Sequence, residues 1–172
     1  MAEEQTAGQA NSEGSEQKVQ FAIQRIYIKD LSFEAPLGAH AFRKQWKPSI
    51  HQELNTKSSK IDENLYEVVL TLTITVKIEE ETAFLVEVQQ GGAFTIAGLE
   101  GQHLAHALNT ACPQILFPYA REAIDGVVTK GSFPALMLPP VNFDALFAQA
   151  LQRAQEQAQG KAGAAEEAPT VN

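Results

Sequence analysis

The sequence predicts an α+β domain in which a four-stranded antiparallel sheet comes first and helices follow. Alternating apolar and polar residues in the first half are typical of strands, and the three- to four-residue spacing of apolar residues in the second half is typical of helices. Both ends, residues 1–17 and 159–172, are rich in small and polar residues that have little to bury, which predicts disordered tails. The predicted folded domain spans residues 18–158.

The clearest strand pattern covers residues 66–78. Every even position in this run is apolar, and most odd positions carry threonine or a charge. Such alternation is typical of an amphipathic strand with one face toward the core. We expect a charged turn at residues 79–81 and a partner strand over residues 84–90 that ends at Gly91.

The run from Val19 to Phe33 predicts the first strand. Its apolar residues stand at odd positions up to Ile23 and at even positions at Ile26 and Ile28, and Leu31 and Phe33 follow. This change of parity indicates a β-bulge or a strand that is buried on both faces. The run stops at Pro36.

Residues 39–60 show no regular period and are expected to be irregular. They nevertheless contain four large apolar residues, Phe42, Trp46, Ile50 and Leu54. One interpretation is that these side chains anchor the segment on the core. The other is that they line an apolar groove with the last helix, where an extended or unfolded chain binds.

The second half predicts helices over residues 98–111 and 115–130. Pro113 is suited to the first turn of the second helix, and Pro118 predicts a kink within it. Gly131 is a natural place for this helix to end.

Three prolines keep residues 133–140 extended after the second helix. Asn142 is a suitable N-cap for a final helix, with Asp144 in its first turn. The apolar residues of that helix recur at the spacing of a single helix face; they are Phe143, Leu146, Phe147, Ala150, Leu151 and Ala154.

Composition excludes several classes of function. The formal net charge of −8 opposes nucleic-acid binding, which needs a basic surface. The single cysteine, Cys112, cannot form an internal disulfide and favours a reducing compartment. Residues 1–17 lack the apolar run of a signal peptide, and no stretch approaches the ~18 apolar residues of a membrane span. We therefore expect a cytoplasmic protein that does not insert into membranes.

Few residues offer catalytic or metal-binding chemistry. His103 and His106 lie three residues apart on a predicted helix, a spacing that metal ligands use, but no second cluster completes a site. Cys112 and a histidine could act as nucleophile and base, yet nothing points to an orienting third group. The glycines between 91 and 101 lack the pattern of a phosphate-binding loop. We predict no catalytic residues, no metal and no cofactor.

Several ordered segments resemble the SecB family of protein-export chaperones. The resemblance runs from about Phe21 to Leu151 and does not include the tails. It is carried by QRIY at 24–27, KDLSFEAP at 29–36, ETAFL at 81–85, EVQQGG at 87–92, CP at 112–113, ILFPYARE at 115–122 and PVNFDALF at 140–147. Gln52 departs from the family, which usually has an apolar residue at that position.

The resemblance to SecB implies a homotetramer that is built as a dimer of dimers. Edge strands of two protomers would pair into an eight-stranded sheet, and the helix near residues 113–130 would pack between two such sheets. We expect the threonine-rich strand at residues 66–78 to be the pairing edge, because pairing removes an aggregation hazard.

The resemblance also implies a function. SecB-like proteins hold unfolded preproteins without ATP and deliver them to SecA, the motor ATPase of the translocon. The positions that match the family's SecA contacts, on the outer face of the sheet, are Asp30, Glu34, Leu85 and Glu87. The implied client groove lies between the irregular segment and the last helix, and its candidate residues are Phe42, Trp46, Ile50, Leu54, Phe143 and Phe147.

Three alternatives stay open at this stage. The groove could hold a small ligand such as a lipid, or Cys112 and a histidine could form an enzyme site. A SecB-like chaperone could also serve a toxin–antitoxin pair. The acidic set of Asp30, Glu34 and Glu87 favours the export function over this last alternative.

Overall fold

The computed structural model describes residues 18–165, with side chains described for residues 18–157. The predictions for residues 1–17 and 166–172 therefore lie outside the described residues. The strands are β1 (Gln20–Glu34), β2 (Ser49–Asp62), β3 (Leu65–Ile78) and β4 (Glu81–Ala97). The helices are α1 (Gly101–Asn109), α2 (Ala111–Lys130) and α3 (Phe143–Ala165), and a 3-10 helix, Gly38–Arg43, lies between β1 and β2.

The four strands form one antiparallel sheet, which confirms the predicted fold class. Their order across the sheet is β1-β4-β3-β2, so β3 and β4 are interior and β1 and β2 are the edges. The expectation that the threonine-rich strand lies at an edge was wrong. β3 pairs along its whole length with β2 on one side and β4 on the other, because its fully apolar inner face gains most from a central position over the core.

The strand β2 is the main difference from the sequence-based expectation. Residues 39–60 were expected to be irregular, but residues 49–62 pair with β3 almost without interruption. Only Ile50 and Leu54 are large and apolar among the inner-facing positions of the register, since Gln52 and Thr56 share that face. Backbone hydrogen bonds to β3 therefore stabilise this strand, whereas its side chains lack the apolar alternation that would have predicted it.

The strand β4 also extends further than predicted, because it passes through Gly91 and Gly92 and ends at Ala97. A Cβ atom on Gly91 would lie 2.6 Å from the ring of Tyr27. A Cβ on Gly92 would lie 2.8 Å from Leu116 of α2. The two glycines are therefore sites of close approach within a strand, not its end.

The predicted bulge in β1 is confirmed. The pairing of β1 with β4 shifts register between Ile23 and Arg25, and again between Ile28 and Asp30. Each shift lets one extra residue into β1 and changes which side chains face the helices.

The helix α2 covers the inner face of the sheet. Every fourth residue along it is fully buried against the strands; these residues are Cys112, Leu116, Ala120, Ile124 and Val128. The helix contains Pro113 in its first turn and is capped at Gly131, as expected. It continues through Pro118, where the kink stays a prediction. Facing it from β3 and β4 is the apolar core, which includes Val68, Leu70, Leu72, Ile74, Val76, Phe84, Val86 and Phe94.

The predicted N-cap of the last helix is confirmed. The Oδ1 atom of Asn142 accepts a hydrogen bond of 2.9 Å from the backbone N–H of Ala145. From there α3 runs to Ala165, beyond the domain boundary predicted at residue 158. Among the described residues, no helix is long and apolar enough to cross a membrane.

Candidate functional site

The four predicted motor-contact residues lie together on the outer face of the sheet, away from α2. In the pairing of β1 with β4, Glu34 stands opposite Leu85 and Ser32 stands opposite Glu87. Asp30 pairs with Gln89, the next outward position of β4. We call Asp30, Glu34, Leu85 and Glu87 the acidic patch: three carboxylates and one aliphatic side chain on the same face of β1 and β4.

The central carboxylate of this patch is held by a neighbour on β3. The hydroxyl of Thr73 donates a hydrogen bond of 2.9 Å to Oε2 of Glu87. Glu87 is half-buried, whereas Asp30 and Glu34 are exposed. The patch thus combines one hydrogen-bonded carboxylate with two exposed ones, an arrangement that suits a basic partner surface.

A cleft lies on the other side of the sheet, between β2 and the first turns of α3. Its volume is about 250 Å³. Three predicted groove residues, Leu54, Phe143 and Phe147, line it. The sequence-based reasoning did not assign its other lining residues to the groove; they are Asn55, Thr56, Asn109, Leu146 and Ala150. We call this the α3 cleft.

The other aromatic groove residues gather around Phe133. Its ring centroid lies 5.2 Å from that of Phe42 and 5.8 Å from that of Trp46. On its buried side Phe133 packs 4.7 Å from Phe84 of the core. We call Phe42, Trp46 and Phe133 the aromatic cluster. Sequence reasoning missed Phe133 because it follows Gly131 in a proline-rich segment with no periodic pattern.

The six predicted groove residues therefore fall in two regions joined by β2. Ile50 lies between them along the chain, after Trp46 and before Leu54, on the same side of the strand as Leu54. Phe42, Trp46 and Ile50 remain 56%, 38% and 49% exposed. Because these side chains are not sealed within the protein's own core, their apolar surface is open to contact with another chain.

The helix α3 rests on α1 through His106. Its Nε2 atom lies 3.0 Å from Oδ1 of Asp144, and its ring meets the edge of Phe147 at 5.7 Å between centroids. Past Phe147, the exposed Leu151 lies on the apolar face of α3. These contacts fix the first turns of α3, which form one wall of the α3 cleft.

Comparison with known proteins decides the family. The sequence model described as "Preprotein translocase subunit SecB" matches residues 14–154 of the 172. The chain belongs to the SecB family. Curated relatives named "Protein-export protein SecB" include that of Marinobacter nauticus, 60% identical over 162 residues, which are 94% of this chain and 96% of the relative. That of Pseudomonas putida is 54% identical over 171 residues, or 99% of each chain.

This SecB-family chain is a protein-export chaperone, since relatives of that name match it along nearly its whole length. Its fold resembles the Mycobacterium tuberculosis SecB-like chaperone Rv1957, solved with a peptide from the antitoxin HigA1. The TM-score is 0.56 at 14% identity, covering 71% of this chain and 91% of the other. Identity that low supports the shared fold alone, so the toxin–antitoxin alternative is not favoured.

The geometry gives no support to an enzyme site at Cys112 of this SecB-family chain. The thiol is fully buried in the core, and desolvation raises its pKa to about 12. A nucleophile must be a thiolate that substrate can reach. His106 is engaged with Asp144 instead. Within residues 18–157, no three histidine, cysteine, aspartate or glutamate side chains come together as metal ligands.

Proposed function

We propose that this SecB-family protein works in the cytoplasm as a holding chaperone without catalytic activity. It binds unfolded preproteins on apolar surface, keeps them competent for translocation and delivers them to SecA. The observation that carries the proposal is an apolar strip that runs from the exposed Phe42 and Trp46 along β2 to the α3 cleft. Such a strip suits an extended chain that presents apolar side chains at intervals.

Client binding at one such strip is weak and becomes strong through repetition. Each buried methylene contributes about 0.8 kcal/mol, and much of this gain is offset by the cost of ordering the client. A particle with several strips lets one long chain bind at several points, with avidity gains of ~10²–10⁴. A folded protein hides its apolar segments, so selection depends on folding state and not on a sequence motif.

Assembly into a dimer of dimers is part of the proposal. The strand β1 is an edge whose inner-facing side chains Phe21, Ile23 and Ile28 are exposed in the single protomer. Tyr119 of α2 is also exposed, on the side of the helix away from the sheet. Unpaired edges and exposed apolar side chains favour burial against further copies of the chain.

Delivery is proposed to occur at the acidic patch. SecA would meet Asp30, Glu34 and Glu87 with basic side chains and would cover Leu85. Because the patch lies on the face of the sheet opposite the α3 cleft, SecA and a client can bind one protomer together. The protein then needs no nucleotide of its own, since the motor supplies the energy that draws the client away.

The experiment measures the mass of the assembly, the suppression of preprotein aggregation and the binding of SecA. We expect light scattering to give the mass of four chains, and the purified protein to suppress aggregation of a chemically unfolded preprotein without ATP. Immobilised protein is expected to retain both the preprotein and SecA. A protein that neither suppresses aggregation nor retains an unfolded chain would contradict the proposed function.

A further inference from the structure

The chain between β1 and β2 connects the two opposite edges of the sheet. These strands are the two edges of the sheet, so residues 35–48 must pass the end of the hairpin formed by β3 and β4. We call residues 35–48 the connecting segment. It carries Phe42 and Trp46 of the aromatic cluster, so its position decides where those two side chains stand.

Few apolar contacts hold this segment. Ala41 is the one residue of the connecting segment that is buried, and Leu37 is partly buried against the core. Phe42 and Trp46 pack against the ring of Phe133, but Phe42 remains 56% exposed and Trp46 remains 38% exposed. Burial of one alanine and partial burial of a few side chains hold the segment weakly, so a polar contact can add to its attachment.

Lys44 attaches the connecting segment to the hairpin of β3 and β4. It stands between Phe42 and Trp46 in the chain, directly after the 3-10 helix, and its side chain is only 23% exposed. Its Nζ atom lies 3.2 Å from Oε2 of Glu79 and also forms an ion pair with Glu81. Hydrogen bonds to Glu81 and then to Glu79 raise the pKa of Lys44, because both carboxylates favour its charged form.

The turn between β3 and β4 places carboxylates around this cation. Glu79 and Glu80 form this two-residue turn, and both have left-handed backbone conformations, with φ of 51° and 70°. Residues other than glycine and asparagine adopt that conformation at a cost. Three successive carboxylates, from Glu79 to Glu81, also repel one another. One ammonium shared by Glu79 and Glu81 offsets the repulsion and ties the turn to the connecting segment.

We propose that Lys44 is a positioning residue whose bridge to Glu79 and Glu81 holds Phe42 and Trp46 against Phe133 in the arrangement that receives a client. The proposal rests on the proposed client-holding function. In this proposal the ammonium of Lys44 shapes the apolar surface by fixing Phe42 and Trp46, its neighbours in the sequence. Lys44 itself does not line the α3 cleft.

The test uses the fluorescence of Trp46, the only tryptophan in the chain. Lys44→Met keeps most of the side-chain bulk and removes the charge, whereas Lys44→Arg retains the charge. Glu80→Gln is the matched control, because it neutralises the same turn at a residue that has no ion pair within residues 18–157. All variants are compared as full-length protein, with retained fold checked by circular dichroism.

We expect Lys44→Met to shift the Trp46 emission to longer wavelength and to increase quenching by iodide. Lys44→Arg and Glu80→Gln should leave both properties near those of the native chain. Raising salt from about 0.01 M to about 1 M, which shortens the screening length from about 30 Å to about 3 Å, should move the native emission toward that of Lys44→Met. Unchanged emission in Lys44→Met, or an equal shift in Glu80→Gln, would overturn the proposal.

Client affinity separates this inference from the function on which it rests. Lys44→Met should weaken binding of an unfolded preprotein about two- to fivefold, the size expected for partly exposed ion pairs. Unchanged affinity in Lys44→Met, with weakened binding in Phe147→Ala, would overturn the positioning role and leave the proposed function standing. Unchanged affinity in both variants would contradict the proposed client surface and the positioning role together.

Discussion

The ring of Tyr27 lies across the backbone of Gly91, and no side chain fits between them. Two ring carbons of Tyr27 would stand 2.6 Å from a Cβ atom at position 91. Beyond the glycine, the Tyr27 hydroxyl donates a hydrogen bond to Glu67 of β3. One side chain of the edge strand β1 thus spans β4 and reaches β3, which ties three strands together on the outer face of the sheet.

Gly91→Ala is expected to destabilise the protein by about 1–2 kcal/mol. Alanine is normally the better strand residue by up to ~1 kcal/mol, but here its methyl group must displace the Tyr27 ring, and such overpacking costs about 1–3 kcal/mol. Urea unfolding measures the change. In a Tyr27→Ala background the same substitution should be neutral or stabilising, and an equal loss of stability in both backgrounds would show that the ring is not the cause.

The second prediction concerns the stability of the protein in acid. Hydrogen bonds from Tyr27 and then Lys29 hold the pKa of the Glu67 carboxyl below its usual value. A lowered folded-state pKa stabilises the fold fully above the unfolded value of about 4.3, and the stabilisation is lost as pH falls through the folded value. The side chain of Glu67 is 21% exposed, so its ion pair is worth at most about 1 kcal/mol.

Glu67→Gln should therefore be less stable than the native chain at pH 7, and the difference should shrink as the pH drops below about 4. Urea unfolding at a series of pH values gives the two free-energy curves. Glu63→Gln, at an exposed position in the turn before β3, serves as the control. A difference that stays constant down to pH 3 would mean that the carboxylate charge does not stabilise this network.

The third prediction concerns the acidic patch. Glu87→Lys should weaken SecA binding roughly tenfold, because it removes the carboxylate that Thr73 orients and places a like charge against a basic partner. Binding of unfolded preprotein should stay nearly unchanged, since the α3 cleft lies on the other face. Glu63→Lys makes the same charge reversal at an exposed residue of the turn between β2 and β3, at the other end of the sheet. Equal weakening by both variants would point to overall charge and not to this patch.

The fourth prediction concerns the α3 cleft. Phe147→Ala removes an aromatic wall of the cleft and should weaken preprotein binding about tenfold, the effect of losing a central aromatic contact. SecA binding should be nearly unaffected. Ile61→Ala is the control, because Ile61 is 56% exposed yet does not line the cleft. Titration calorimetry on correctly assembled protein measures both variants, and native-like affinity in Phe147→Ala would refute the assignment.

Local pattern was sufficient for elements whose side chains follow one period. The alternation over residues 66–78 predicted β3, because each even side chain from Val68 onward is buried in the core. The parity change near Ile23 predicted a bulge, and Asn142 predicted the start of α3, because bulges and caps depend on residues that are close in the chain. The acidic patch was found through family resemblance, and spacing alone did not identify it.

Pairing between distant segments decided the rest. Gln52, Thr56 and Ser58 give no apolar period, so β2 exists because β3 offers it hydrogen bonds. In the sequence, Gly91 predicted the end of a strand. In the structure β4 continues through it, because the ring of Tyr27, more than sixty residues earlier in the chain, packs on this glycine. The sheet order likewise depends on long-range contacts, and it alone brings Lys44 beside Glu79 and Glu81. Composition and periodicity therefore determine which segments are strands or helices when burial repeats regularly, whereas neighbours across the sheet determine the edges, the clefts and the ion pairs.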